Sequence, residues 1–192
     1  MASLNVVVAG VGGQGVLTLA KVIGEAAIAG GRGALVAETH GLSQRGGSVV
    51  VHVRLGDVEA PLVPEGEGDL LLSTELLEAL RYASFLKRGG EVVSDALVLK
   101  PYGFKGELKA YQVAEELKRL GLKVHLVNAA GMAEPLGDVR AANMVLLGYA
   151  LSRTRLGEFL ELGKVEEVIG RGRGAEVNLK AFRLGLNMRA EE

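Results

Sequence analysis

The apolar positions of this chain fall into short runs that alternate with segments of helical spacing. Short runs rich in valine and leucine predict strands of a parallel sheet, because a strand that is buried on both faces needs no polar alternation. The predicted strands are 4–9, 34–38, 48–55, 69–73, 91–94 and 124–127. Apolar residues spaced three and four apart predict helices. The predicted helices are 16–27, 75–85, 110–120, 141–151, 165–169 and 178–186.

Strands that alternate with helices at this spacing indicate βαβ crossovers. We therefore expect an α/β fold with three layers, α/β/α, around a mostly parallel sheet. Its first half should be Rossmann-like, and its helical C-terminal part should pack on the same domain. A length of 192 residues without a linker or repeat favours a single domain over 1–192.

The strand predicted at 48–55 has a mixed pattern. Its odd-numbered positions from Val49 to Leu55 are apolar, and they alternate with Val50, His52 and Arg54. This alternation predicts a half-exposed strand. Pro61 and Pro64 then interrupt the chain, so we expect an irregular excursion or an edge strand there.

Composition excludes several kinds of protein. The net charge of −1 gives no support to a nucleic-acid partner. The absence of cysteine excludes disulfides, a cysteine nucleophile and thiolate-bound iron–sulfur clusters. The three histidines, His40, His52 and His125, have no metal-ligand spacing, so we expect no bound metal.

Neither a signal peptide nor a membrane span is expected. The N-terminus leads directly into a short strand rather than a basic and apolar leader. No apolar run reaches the roughly 20 residues that a bilayer requires. The sequence therefore predicts a cytoplasmic protein with no membrane partner.

A first glycine-rich loop follows the first predicted strand. Gly10, Gly12 and Gly15 have the GxGxxG spacing, and Gln14 adds a polar side chain where the next helix begins. Such a loop can bind phosphate through free backbone N–H groups, and Glu38 then stands about where a ribose-binding acid would lie. The same loop can equally serve to pack a helix tightly against a strand.

A second glycine-rich loop follows the strand at 34–38 and is richer in side-chain chemistry. Arg45 can bind a carboxylate or phosphate through two parallel hydrogen bonds, and the glycines allow a close approach of the backbone. A plain polar turn would not require so many different polar residues between glycines. The candidate binding residues of the two loops are Gly10, Gly12, Gly13, Gln14, Gly15, Glu38, Thr39, His40, Gly41, Ser43, Gln44, Arg45, Gly46 and Gly47.

These two loops, together with 143–148 and 178–185, resemble the gamma-type subunits of 2-oxoacid:ferredoxin oxidoreductases. Within that family they are most similar to the beta subunits of indolepyruvate ferredoxin oxidoreductases. The second loop is the specific part of the resemblance, whereas the first is shared with many folds. The resemblance covers nearly the whole chain and implies a pyruvate/ketoisovalerate oxidoreductase gamma-type domain.

The resemblance implies a complex that oxidatively decarboxylates an oxoacid, forms an acyl-CoA and reduces ferredoxin. Thiamine diphosphate, magnesium and iron–sulfur clusters are then expected in a larger partner subunit, and no cofactor is held by this chain alone. The two loops would face CoA or the partner, and the isolated chain would be inactive and able to form a homodimer. No residue of this chain is singled out as catalytic.

Two other functions stay open on the sequence alone. A standalone NAD(P)-binding Rossmann reductase would use the first loop and Glu38. A purely structural assembly subunit would use both loops only to contact its partner.

Overall fold

A computed structural model describes residues 3–39, 46–100 and 103–188. The strands are β1 Ser3–Val11, β2 Ala34–Thr39, β3 Ser48–Gly56, β4 Gly68–Ser73, β5 Leu86–Asp95 and β6 Lys123–Val127. The α-helices are α1 Val16–Ala29, α2 Leu76–Arg81, α3 Ala110–Arg119, α4 Ala129–Ala133, α5 Ala142–Arg153, α6 Leu162–Gly170 and α7 Ala175–Leu186. Short 3-10 helices lie at Ala83–Phe85, Glu134–Leu136, Val139–Ala141 and Arg155–Glu158.

The strands form one sheet in the order β2-β3-β1-β4-β5-β6. Strands β1, β4, β5 and β6 are parallel to one another, and β3 runs antiparallel to both β1 and β2. The mostly parallel sheet is therefore confirmed. One feature differs from a dinucleotide-binding half, in which the second strand would pair with the first: here β3 lies between β1 and β2.

Helices cover both faces of the sheet. The side chains of a strand alternate between the two faces, and in this sheet both faces carry apolar side chains that need cover. On β1, Leu4, Val6 and Val8 join the larger hydrophobic cluster, which includes residues of α1 and α5–α7. Val7 and Ala9 face the other way, into a cluster with α2 and α3. The expected α/β/α layers are thus confirmed, with the C-terminal helices packed on the sheet.

Helices α5 and α7 pack backbone against backbone. A Cβ atom at Gly148 would overlap the Phe182 carbonyl oxygen, and one at Gly185 would overlap the Val145 carbonyl oxygen. Only glycine allows two helices to approach this closely. These glycines belong to the two C-terminal segments on which the family resemblance rests.

The expectation of a half-exposed β3 is wrong at His52. This side chain is only 3 % exposed, because residues 60–63 lie over that face of the strand. Its Nδ1 accepts a hydrogen bond from the Val63 N–H at 3.3 Å, and its ring lies edge-on to Phe85 at 5.0 Å. Pro61 and Pro64 do lie in an irregular segment, and part of this segment covers one face of β3.

Acidification is expected to destabilise the protein in part through His52. Burial lowers the pKa of His52 from its ordinary value of 6.5, so the unfolded chain binds a proton that the folded chain does not. Stability is therefore lost as the pH falls from about 6.5 towards the lower pKa of the folded state. His52→Asn retains a short polar acceptor, and it should lose less unfolding free energy than the parent chain between about pH 7 and 5. Equal losses in urea titrations of the two proteins would contradict this assignment.

None of the helices in the described parts of the chain combines the length and the apolar composition that spanning a bilayer requires.

Candidate functional site

The two glycine-rich loops meet at the carboxyl edge of the parallel strands. Val11 at the end of β1 pairs with Ser48 at the start of β3. The Gly12 N–H then donates a hydrogen bond to the Gly47 carbonyl oxygen at 2.8 Å. The first loop is thereby fastened directly to the end of the second.

The first loop turns sharply and leads into an uncapped helix. Gly13 and Gly15 have φ angles of 100° and 79°, in the left-handed region that favours glycine. Helix α1 begins at Val16 with neither a side-chain cap nor an acidic residue in its first turn. Such a helix end carries positive charge from its unpaired N–H groups and attracts anions.

An open groove runs along this loop and helix. Its first part has a volume of about 350 Å³ and is lined by the loop backbone, Leu17, Thr18 and Val49. A second part of about 600 Å³ continues between α1 and β2. Leu17 and Thr18 line both parts, and Val36 is exposed along the second. The groove therefore joins backbone donors at one end to a wall in which apolar side chains lie beside charged ones, namely Lys21, Glu25 and Glu38.

The Gln14 side chain fixes the shape of the first loop by accepting two hydrogen bonds. Its Oε1 accepts hydrogen bonds from the Val11 N–H at 2.9 Å and from the Thr74 hydroxyl at 2.7 Å. Thr74 also explains why residue 10 is a glycine, because a Cβ atom there would overlap the Thr74 hydroxyl. Gln14 thus holds the loop in shape, a role that its position at the helix entrance did not reveal.

Asn143 supports the loop from the C-terminal half of the chain. It is 5 % exposed, and its Nδ2 donates to the Gly15 carbonyl oxygen at 3.1 Å. A Cβ atom at Gly15 would overlap this amide. From the sequence, Asn143 could be interpreted only as a cap or packing residue, and a polar side chain within an otherwise apolar helix was the available signal.

The structure describes the two ends of the second loop. The Thr39 hydroxyl donates to the Val50 carbonyl oxygen at 3.2 Å, and Gly46 has a φ of 72°. Gly47 carries the contact to Gly12. His40, Gly41, Ser43, Gln44 and Arg45 lie outside the described residues, and their role as binding residues stays a prediction.

Glu38 lies near the end of β2, which is separated from β1 by β3. Adjacent strands are about 4.8 Å apart, so Glu38 is roughly 10 Å to the side of the strand that carries the first loop. In a dinucleotide-binding half, the ribose-binding acid follows the strand next to the glycine loop. The strand order therefore does not favour a ribose role for Glu38.

The buried acids beside the site cap chain turns. Asp95 accepts hydrogen bonds from the N–H groups of Leu97 and Ala130, at 3.3 and 3.0 Å. Glu75 caps α2 by accepting from Glu78 N at 2.8 Å. Burial raises the pKa of both carboxyl groups. Among the described residues, no group of three or more His, Cys, Asp or Glu side chains could hold a metal ion.

The remaining polar candidates have structural contacts. His125 lies on β6, where its Nδ1 is 3.2 Å from the Tyr149 hydroxyl. Arg171 forms an ion pair with Glu167 and lies in an exposed turn between α6 and α7. Both side chains thus have partners within the chain.

The fold and the site together define an α/β/α domain that presents two joined glycine loops at one edge of its sheet and contains no thiolate for a redox centre. The model of the Pyruvate ferredoxin/flavodoxin oxidoreductase family matches residues 5–188. The chain belongs to this family, and it is a subunit of a 2-oxoacid:ferredoxin oxidoreductase.

Individual relatives agree with this assignment. Indolepyruvate oxidoreductase subunit IorB of Archaeoglobus fulgidus is 41 % identical over 191 residues, covering 96 % of this chain and 94 % of the relative. The crystal structure of a keto/oxoacid ferredoxin oxidoreductase gamma subunit from Geobacter sulfurreducens has a TM-score of 0.71 and 26 % identity, with 95 % of both chains covered.

A third relative shares the fold within a longer chain. It is the 2-oxoglutarate:ferredoxin oxidoreductase from Magnetococcus marinus, solved with 2-oxoglutarate, coenzyme A and succinyl-CoA bound. The TM-score is 0.71 at 20 % identity, and the match covers 97 % of this chain and 31 % of that one.

Proposed function

We propose that this chain is the non-cluster subunit of a CoA-dependent indolepyruvate or aryl pyruvate:ferredoxin oxidoreductase. In that reaction the oxoacid loses CO₂, its acyl group is transferred to CoA, and two electrons pass to ferredoxin. The relationship to an indolepyruvate oxidoreductase subunit supports the substrate class. We further propose that residues 1–192 act as one gamma-type domain, since both hydrophobic clusters pack on one sheet.

The redox and decarboxylation cofactors are assigned to a larger partner subunit. This chain has no cysteine for an iron–sulfur cluster, and its described part has no group of three or more potential metal ligands. Thiamine diphosphate with its magnesium and the clusters would then lie in the partner, which would pass electrons to ferredoxin. This chain would contribute one wall of the shared site.

The contact between Gly12 and Gly47 carries the proposal for the site itself. It unites the two loops into one surface, which we propose as the CoA-facing or partner-facing side of the active site. The uncapped start of α1 suits an anionic group such as the pyrophosphate of CoA. The groove then follows α1, whose 14 residues span about 21 Å, and so offers room for an extended ligand.

The proposed function is tested with the assembled complex. The chain is co-purified with its partner, and ferredoxin or viologen reduction is followed with a panel of 2-oxoacids, with and without CoA. We expect reduction that requires both subunits, an aryl pyruvate and CoA. Full activity of the partner alone, or activity that is independent of CoA, would contradict the proposal. Calorimetry of the isolated chain with NADH tests the alternative of a standalone reductase. Binding of NADH would support that alternative.

A further inference from the structure

Ser48 connects the end of the second glycine loop to α2. It directly follows Gly46 and Gly47, and it is the first residue of β3. Its hydroxyl donates a hydrogen bond to Oε2 of Glu78 and lies 2.7 Å from the Tyr82 hydroxyl. Two side chains of the α2 region thus meet the chain where it leaves the loop.

The direction of these hydrogen bonds follows from the available protons. A serine hydroxyl carries one proton, and Ser48 donates it to the carboxylate of Glu78. Tyr82 must therefore be the donor to Ser48. The other oxygen of Glu78, Oε1, accepts from Nε of Arg81 at 3.2 Å. Both carboxylate oxygens thus accept a hydrogen bond, and the chain of donors ends on Glu78.

Glu78 is well placed to act as a fixed anchor. Its side chain is buried, with 8 % exposure, and it belongs to the turn of α2 that Glu75 caps. Hydrogen bonds to charged groups are stronger than those between neutral groups. A bond from Ser48 to this buried carboxylate therefore holds the strand end more firmly than a bond to a neutral acceptor would.

We propose that Glu78 is a positioning residue, which acts through Ser48 to fix the C-terminal root of the second glycine loop, residues 46–48. The root is then held from two sides, by Gly12 at the backbone and by Glu78 at the side chain. The effect of Glu78 on CoA binding rests on the proposed function. Its effect on the order of residues 46–48 does not.

Hydrogen exchange in the assembled complex tests the anchor directly. Ser48→Ala removes the hydroxyl, and it should speed exchange of the amides at 46–50 by about tenfold, since local opening no longer breaks a charge-assisted bond. Ser48→Thr keeps a hydroxyl and should restore slow exchange. The matched control is Ser84→Ala, at an exposed serine near the end of α2, and it should leave these amides unchanged.

A second variant tests whether Glu78 is the residue that holds Ser48. Glu78→Gln keeps an acceptor but removes its charge, so it should speed exchange at 46–50 by less than Ser48→Ala does. The double variant should be no faster than Ser48→Ala alone, because Ser48→Ala already removes the interaction that Glu78→Gln weakens. Unchanged exchange in Ser48→Ala would overturn the proposal, as would simple addition of the two effects. Thermal melting points that match the parent chain would show that the changes are local.

Steady-state kinetics separate this proposal from the proposed function. If the loop faces CoA, Ser48→Ala should raise the KM for CoA by about three- to tenfold, and more than it changes kcat. A raised KM in Arg45→Ala together with unchanged exchange in Ser48→Ala would reject the anchor and retain the CoA site. Faster exchange in Ser48→Ala, together with an unchanged KM for CoA in both Ser48→Ala and Arg45→Ala, would retain the anchor and reject the CoA site.

Discussion

Gly185→Ala is expected to destabilise the protein severely. The added Cβ would overlap the Val145 carbonyl oxygen and lie 2.9 Å from the Tyr149 N atom. Both atoms belong to the backbone of α5, so no side chain can rotate away to make room. Overpacking in a core typically costs about 1–3 kcal/mol, and we expect the upper end of this range or more. In a chain of this size, each kcal/mol lowers the melting temperature by roughly 2–4 °C.

Gly163→Ala provides the matched control for this substitution. Gly163 lies within α6, and a Cβ atom there would meet no atom within 4 Å. Because alanine favours a helix over glycine, this variant should be neutral or stabilised by up to about 1 kcal/mol. Thermal melts followed by circular dichroism compare the two. Similar melting temperatures for the two variants would contradict the close packing of α5 and α7.

Arg45→Ala is expected to raise the KM for CoA by tenfold or more in the assembled complex. A charge-assisted hydrogen bond contributes about 1.5–3 kcal/mol, and about 1.4 kcal/mol corresponds to a factor of ten. Arg45 lies outside the described residues, so this expectation rests on its residue type and its place between the glycines of the second loop. The measurement is the initial rate of viologen reduction at varied CoA and saturating oxoacid.

The control for Arg45→Ala removes an arginine at the opposite edge of the sheet. Arg119 lies at the end of α3, where it is exposed and paired with Glu116. Because α3 leads into the start of β6, this position is far from the carboxyl edge. Arg119→Ala should leave the KM for CoA unchanged. An unchanged KM in Arg45→Ala, with the complex intact, would remove CoA from the role of this loop.

Much of the fold was predictable because local pattern and tertiary structure agree. The segments 16–27 and 34–38 differ from the observed α1 and β2 by only one or two residues at an end. The prediction was less complete for β5, which begins at Leu86 and includes Gly89 and Gly90. The strand predicted at 91–94 did not include these glycines, which lie in an irregular stretch of β5 between the pairings of Leu86 with Gly68 and Glu91 with Leu70.

Contacts between distant residues account for the remaining differences. His52 was expected to be half exposed, and its burial depends on residues 60–63 lying over β3, which strand periodicity cannot show. The placement of β3 between β1 and β2 is likewise a matter of pairing rather than local preference. Because strand order decides which loop ends are neighbours, it also changed the interpretation of Glu38.

The two glycine loops could be found in the sequence, but their contacts could not. Each loop directly follows a predicted strand, and the Gly12 to Gly47 hydrogen bond joins them at one edge of the sheet. Gln14 and Thr74 are separated by 60 residues, and Asn143 and Gly15 by 128. Contacts over such separations leave no periodic signal. The sequence therefore indicated which residues to consider but not which of them hold the loop in shape.

Hydrogen exchange of this chain, alone and in the complex, tests directly whether the joined loops face CoA or the partner. We expect strong protection of the amides at 10–18 and 46–50 when the partner is bound, with a further change if CoA itself contacts the loops. Amides at 113–119 in α3, at the other face of the sheet, serve as the internal reference. Unchanged exchange at both loops, in an assembled complex with saturating CoA, would show that the loops face neither CoA nor the partner.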